Sequence, residues 1–336
     1  MRYDRILLEH GSGGQLSNDL IAGTFLPLLR NPLLERLEDG AVFAAGGARL
    51  CFTTDSFVVH PRFFPGGDIG SLAVHGTIND LAMCGASPLA LSAAFILEEG
   101  FSLEELERIV RSMAAAAEKA GVSVVTGDTK VVPRGAADGL FITTAGIGIV
   151  RYPGPLSVAS IRPGDAVIVS GPIGDHGAAI LSSREDLGFV SRIESDSAAL
   201  NGLVETVLAA SPAVHCMRDA TRGGLGAILA EIAGQAGHRI AIRERLIPVR
   251  EEVRGICEIL GFDPLFLANE GRMALFCAGD AADAVLGAMQ GHELGRGAAL
   301  IGEVTADRQG RLVMETLLGG SRQIDLPTGE LVPRIC

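Results

Sequence analysis

The chain has 336 residues, 48% hydrophobic and 20% charged, which is enough apolar material for a substantial core and a length that suits two domains. Its 28 basic and 40 acidic residues leave a formal net charge of −12 with no Lys/Arg cluster, which argues against a nucleic-acid partner. The longest apolar stretch, Leu89 to Leu97, is far short of the roughly twenty residues a membrane span needs, and Met1 to His10 lacks the apolar core of a secretory signal, so the expected location is cytoplasmic.

Residues 1–40 read as an irregular, glycine-rich arm, because Pro27, Pro32 and the early glycines interrupt any sustained period. Within it, His10-Gly-Ser-Gly-Gly14 can aim several backbone N–H groups at an anion, which makes His10, Gly11, Gly13 and Gly14 candidate phosphate contacts; a plain flexible loop is the alternative. A strand is expected over Leu50 to Val59, interrupted by Asp55, and a helix over Gly70 to Cys84, carrying Asn79-Asp80 in an apolar sequence. The best-signalled helix starts at Ser102, where Glu105 completes a capping box, and stops at Gly121. The next strand, Val122 to Thr126, is followed by Asp128 and Lys130, and another runs from Leu140 to Val150. Apolar elements rarely carry acids without a reason. Asp55, Asp80 and Asp128, with Asn79 alongside, can converge on Mg²⁺, a hard cation that takes oxygen ligands; otherwise each caps or turns its own element. Lys130 suits phosphate or developing negative charge, or is simply solvated surface.

The dense Pro/Gly stretch between Val150 and Asp165 marks a domain boundary, giving domains over 41–152 and 160–320. Beyond it, strands are expected at Ala166–Ser170, Met273–Cys277 and Leu300–Val304, and helices at Ser197–Ala209, Leu225–Ala236 and Glu251–Leu260. Arg218-Asp-Ala-Thr-Arg-Gly-Gly224 opens the second of these helices. Asp219, Thr221 and Arg222 there suit an anion at a helix N-terminus, with simple capping as the alternative. Glu270, between apolar segments, is a candidate base if partly desolvated. Neither G-x-x-x-x-G-K-[ST] nor a strand-borne G-x-G-x-x-G occurs, so an ATP site must be of another kind. The six cysteines form no C-x-x-C pair, and five lie in or beside apolar segments. Cys336 differs: it ends an aperiodic tail over 321–336, which can swing its thiol into a site made elsewhere, with Arg334 favouring the thiolate and the terminal carboxylate opposing it; a disordered end or an intermolecular disulfide is the alternative.

Taken together, His10 to Gly14, Thr54-Asp-Ser56, Phe63 to Gly70, Gly76 to Leu81, Gly127-Asp-Thr-Lys130, Arg218 to Gly224 and Pro333-Arg-Ile-Cys336 resemble the HypE family of hydrogenase maturation proteins. The middle motifs are shared with the superfamily of aminoimidazole ribonucleotide synthetase, selenophosphate synthetase and thiamine monophosphate kinase, whereas the terminal Pro-Arg-Ile-Cys singles out HypE. The resemblance implies an α+β chain of two domains: an N-terminal mixed α/β domain that forms a β-barrel in a homodimer, and a C-terminal α+β domain with a flexible tail. It also implies a carbamoyl dehydratase using ATP and Mg²⁺. In that family the terminal Cys receives a carbamoyl group from the carbamoyltransferase HypF. ATP drives its dehydration to a thiocyanate, and the cyanide passes to an iron held by a HypC–HypD complex. By resemblance, Asp55, Asp80 and Asp128 hold the metal, Glu270 removes amide protons, Lys130 stabilises charge and Arg334 docks the tail. One departure is Ala220, where relatives generally carry Pro. The rival readings are a superfamily enzyme acting on a free small molecule, for which the tail is incidental, and an ATP-sensing module without chemistry.

Overall fold

The computed structural model describes residues 4–184, 192–329 and 334–336. The lead-in is more helical than its prolines suggest: α1 (Gln15–Leu20) passes through a π turn at Ile21–Phe25 into α2 (Leu26–Leu29). Pro27 falls in the first turn of α2, directly where the π turn hands over to it.

The N-terminal half contains β1 (Ala41–Ala45), β2 (Ala48–Phe57), the short pair β3 (Phe63–Phe64) and β4 (Gly67–Asp68), α3 (Ile69–Met83), β5 (Ala86–Glu98), α4 (Leu103–Lys119), β6 (Val124–Val132) and β7 (Leu140–Val150). Five strands form one sheet in the order β1-β2-β7-β5-β6. β6 continues six residues beyond the expected end at Thr126, so Asp128 and Lys130 lie within it. Its β-branched Thr129, Val131 and Val132 sustain the parallel pairing with β5 through Glu98↔Val132. α3 is capped by Asp68, whose Oδ1 accepts the N–H groups of Gly70 (2.8 Å) and Ser71 (3.0 Å). Apart from Ser71, His75 and Asp80, the whole of α3 is buried, so apolar residues surround it rather than forming one stripe. α4 is the opposite case, burying only Ile109, Met113, Ala116 and Ala117.

The C-terminal half contains β8 (Asp165–Val169), α5 (Asp175–Ser182), α6 (Asn201–Ala210), β9 (Val214–Asp219), α7 (Gly224–Ala236), β10 (Ile240–Arg243), α8 (Glu251–Leu260), β11 (Met273–Ala278), α9 (Ala282–Gly291), β12 (Ala299–Val304), β13 (Leu312–Glu315) and β14 (Ser321–Ile324). Its seven strands run β14-β13-β10-β12-β8-β11-β9. The inner strands alternate between two cores. Val167, Val169, Ala274 and Phe276 face α7, while Ile168, Met273 and Leu275 face α6, α9 and the end of α3 at Ala82 and Met83. α3 is thus shared between the two sheets, which explains its burial. Two expectations shift. α6 begins at Asn201 rather than Ser197, because the preceding residues reach the other domain: Ser195 N–H donates to the Pro65 carbonyl and the Ala198 carbonyl accepts Asn79 Nδ2–H. Residues 321–324, expected as the start of the tail, pair with β13 and bury Ile324, so the sheet extends past 320. Among the described residues no helix is long and apolar enough to cross a membrane.

Candidate active site

Three carboxylates from three elements meet where the two sheets approach α3. Asp39 precedes β1, Asp80 lies on α3 and Asp219 ends β9; one oxygen of each lies within 4.8 Å of the others. Thr53 of β2 ties two of them together, its hydroxyl lying 2.7 Å from Asp80 Oδ2 and 2.9 Å from the Asp39 carbonyl oxygen. Arg218 Nε stands 2.9 Å from Asp39 Oδ1 as its counter-charge. Burial pushes the Asp39 carboxyl up to about 6 against the pull of Arg218, and it pushes Asp80 and Asp219 well above the usual carboxylate range, with mutual repulsion adding to both. Asp55, on the same face of β2 as Thr53, is also raised by burial and opposed by Arg222. Glu270, 2% exposed, completes the acid field. Its Oε1 has no hydrogen-bond partner among the described residues, and its carboxyl is raised strongly by burial and then by Asp219, Asp55 and Asp196.

Asp128 and Lys130 do not join this field within one chain. The register Asp55↔Thr144, Ala93↔Thr144 and Ala93↔Gly127 places Asp55 three strands from β6, about 14 Å at the usual strand spacing. It also aligns Asp55 with Gly127, so Asp128 projects from the opposite face. There it pairs with Lys130 at 2.8 Å, exposed to solvent, and that lysine lowers its carboxyl. Of the expected trio of Asp55, Asp80 and Asp128, one chain therefore brings Asp80 together with Asp39 and Asp219, with Asp55 beside them, and leaves Asp128 apart. Asp39 had no visible signal, because Glu38-Asp-Gly40 reads as an ordinary turn.

Asn79 also differs from expectation. Its amide acts as a staple: Nδ2 donates to the carbonyls of Ala198 (3.1 Å) and Glu270 (3.3 Å), and Oδ1 accepts Leu200 N–H (2.8 Å). A buried amide facing the other domain finds partners there, so Asn79 holds the Glu270 backbone and keeps one Oδ1 lone pair. Ala220, in the position of the relatives' Pro, donates its N–H to the Arg272 carbonyl at 2.9 Å, a bond proline cannot make.

The glycine run lies over Arg222. Gly13 has φ +75°, and a Cβ there would come within 3.0 Å of the Arg222 Cβ; a Cβ on Gly14 would come within 2.4 Å of the Pro327 carbonyl oxygen. Together Gly11, Ser12, Arg222, Gly223, Pro327 and Cys336 help line a cavity of about 190 Å³. His10 stays in the preceding turn, its Nδ1 accepting Leu7 N–H, and Thr221 closes the turn into α7 by accepting Gly224 N–H.

Cys336 is not a free end. Residues 334–336 are docked (Pro333 lies outside the described residues) with Val58 N–H donating to the Cys336 carbonyl (2.9 Å) and His60 N–H to that of Arg334 (3.0 Å). Arg334 Nε donates to the Val58 carbonyl at 2.9 Å and its guanidinium pairs with Asp138. Cys336 is 7% exposed and packs into the core built by α3 and α4. Burial pushes its thiol up to about 12; the charge and hydrogen bond of Arg222 oppose this, and Glu270 and Asp55 add to it. Docking therefore favours the neutral thiol: its contribution is complete below the ordinary thiol pKa near 9 and fades as pH climbs towards 12. Alkylation of Cys336 should keep rising about tenfold per pH unit above pH 9, where a free thiol levels off. A plateau near pH 9 in the C-terminal peptide would show that the thiol is not buried in solution.

The domain family described as AIR synthase related protein, N-terminal domain, matches residues 37–150, and its C-terminal companion matches residues 162–315. The chain is 55% identical to the carbamoyl dehydratase HypE of Azotobacter vinelandii over 100% of its own length and 98% of that protein. Among solved structures it resembles a HypE in complex with ATP at 49% identity, covering 99% and 100% of the two chains with a TM-score of 0.83. It also resembles a HypE–HypF complex at 47% identity, covering 92% and 99% with a TM-score of 0.87.

Proposed function

The chain belongs to the HypE family of carbamoyl dehydratases that serve hydrogenase maturation, built on the two AIR synthase related domains, and from that membership we propose that it dehydrates a carbamoyl group carried on its own Cys336. The observation that supports this best is the docked tail itself, which brings a terminal thiol beside Arg222, Glu270 and Asp55. A carboxamide oxygen is a poor leaving group. Its phosphorylation by ATP turns S–C(=O)–NH₂ into a phosphorylated imidate, and loss of phosphate then leaves S–C≡N, ADP and two released protons. Glu270 suits the role of proton acceptor, because a buried carboxylate with an unpartnered Oε1 among like charges has the raised basicity that a weakly acidic N–H requires. Arg222 suits the point where negative charge develops, and the glycine run beside it leaves the cavity free of side chains that would exclude a phosphate.

The residues fit Mg²⁺. Asp39, Asp80 and Asp219 offer oxygen ligands whose mutual repulsion a divalent cation relieves. When bound, Mg²⁺ neutralises charge on the transferring phosphoryl group.

The active unit in this reading is a homodimer. β6 is an unpaired edge bearing Val125 and Val131, while Phe52 and Ile96 lie exposed on the face away from α3 and α4; a second copy covers both. Asp128 and Lys130 then serve the second copy's site, which accounts for their distance from Asp55. HypF is the carbamoyl donor and HypC–HypD the cyanide acceptor, in the cytoplasm, and the buried Cys336 leaves its dock to meet them. A heavy-oxygen label in the carbamoyl group tests the activation step: the label should appear in the released phosphate. Its appearance in water instead would overturn phosphorylation of the amide oxygen.

A further inference from the structure

An extended segment points successive carbonyls in opposite directions. At the docked tail, the carbonyls of Arg334 and Cys336 meet the N–H groups of His60 and Val58, which leaves the Ile335 carbonyl facing the other way into buried protein. A buried carbonyl without a donor is costly, so this is where docking needs a dedicated partner. The partner is His176 of α5, whose Nε2 lies 2.7 Å from Ile335 O. The oxygen only accepts, so Nε2 carries the hydrogen and Nδ1 is left as an acceptor. Ser195 Oγ, 2.7 Å from Nδ1, donates to it and in turn accepts Ser197 N–H at 3.1 Å. His176 is fully buried with its ring edge-to-face on Phe64, and burial lowers its pKa and so keeps the imidazole neutral.

We propose that His176, oriented by Ser195, is the positioning residue that receives the docked tail, its Nε2–H fixing the Ile335 carbonyl and so the reach of Cys336 into the site. The same short segment holds the proposed base: Asp196 accepts the N–H groups of Glu270 (3.1 Å) and Gly271 (3.3 Å). Ser195-Asp196 therefore keeps the tail's receptor and Glu270 in one frame. As a positioning role this rests on Cys336 being the carrier; the docking contact does not.

The test is alkylation of Cys336 by iodoacetamide in the full chain at pH 8, read from the C-terminal peptide by mass spectrometry. It needs neither ATP nor a carbamoyl group, so its failure is separable from failure of the dehydratase reading. His176→Leu keeps the volume and removes the donor, and should raise the rate about tenfold, which corresponds to ~1.4 kcal/mol of docking. His176→Gln places an amide N–H near the same point and should restore a rate close to that of the unsubstituted chain. Wild-type reactivity in a folded His176→Leu chain would overturn the proposal, as would a His176→Gln chain as reactive as the leucine variant. If circular dichroism shows that His176→Leu does not fold, Ser195→Ala decides: the proposal expects a rise of about threefold, and no rise overturns it.

Discussion

Cys336→Ala is expected to abolish thiocyanate formation completely while leaving ATP affinity unchanged. The acids at Asp39, Asp80 and Asp219 belong to elements that fold without the tail, so the nucleotide site survives. What disappears in the proposed reading is the atom that carries the substrate, and no other cysteine replaces it: of the six, Cys336 is the one that lines the cavity with Arg222. A superfamily enzyme acting on a free small molecule, with an incidental tail, behaves oppositely and keeps its turnover. Product formation followed by mass spectrometry, together with calorimetric titration of ATP, distinguishes the two. Retained turnover in the alanine variant would remove the self-carrier reading.

Glu270→Gln should slow single-turnover dehydration by about 10²- to 10⁴-fold, the usual contribution of a positioned base. The substitution is isosteric and replaces an acid already surrounded by Asp219, Asp55 and Asp196. Thermal stability should therefore hold or rise, by ~1 kcal/mol, because a buried group next to like charges is being neutralised. Alkylation of Cys336 should rise only modestly: loss of the Glu270 charge eases ionisation of the thiol, while the tail's backbone hydrogen bonds to Val58, His60 and His176 stay in place. A full-speed Glu270→Gln enzyme would move the base elsewhere. A fall in activity accompanied by an undocked tail would make Glu270 a packing residue.

Much of this arrangement is legible in the sequence because its signals are local. Ser102 and Glu105 announce the start of α4, and Ser102 Oγ does accept Glu105 N–H at 3.3 Å. Arg222, Glu270 and Cys336 stand out from their surroundings, and the fold brings them together. What escaped depends on pairing across distance. Asp39 looks like a turn residue until β9 delivers Asp219 and α3 delivers Asp80. Asn79 has the chemistry of a ligand, and only the segment 198–200 from the other domain shows where its amide is engaged. Asp128 follows a glycine in a strand, and only the register reveals that it faces away from Asp55. His176 and Ser195 carry no motif at all; the docked Ile335 carbonyl gives them meaning.

Burial of Cys336 at rest sharpens the role of the tail. A thiol raised to about 12 reacts poorly where it is docked, so the proposed function assigns loading to an undocked tail and dehydration to the docked one. The dock is complete before any cargo arrives, with partners for the Arg334, Ile335 and Cys336 carbonyls alike. The central claim is that the cargo is dehydrated in place. Intact-mass measurement of S-carbamoylated protein incubated with Mg-ATP tests it most directly: the account predicts that the C-terminal peptide loses one water while the rest of the chain keeps its mass, and an unchanged adduct with ATP bound would contradict it.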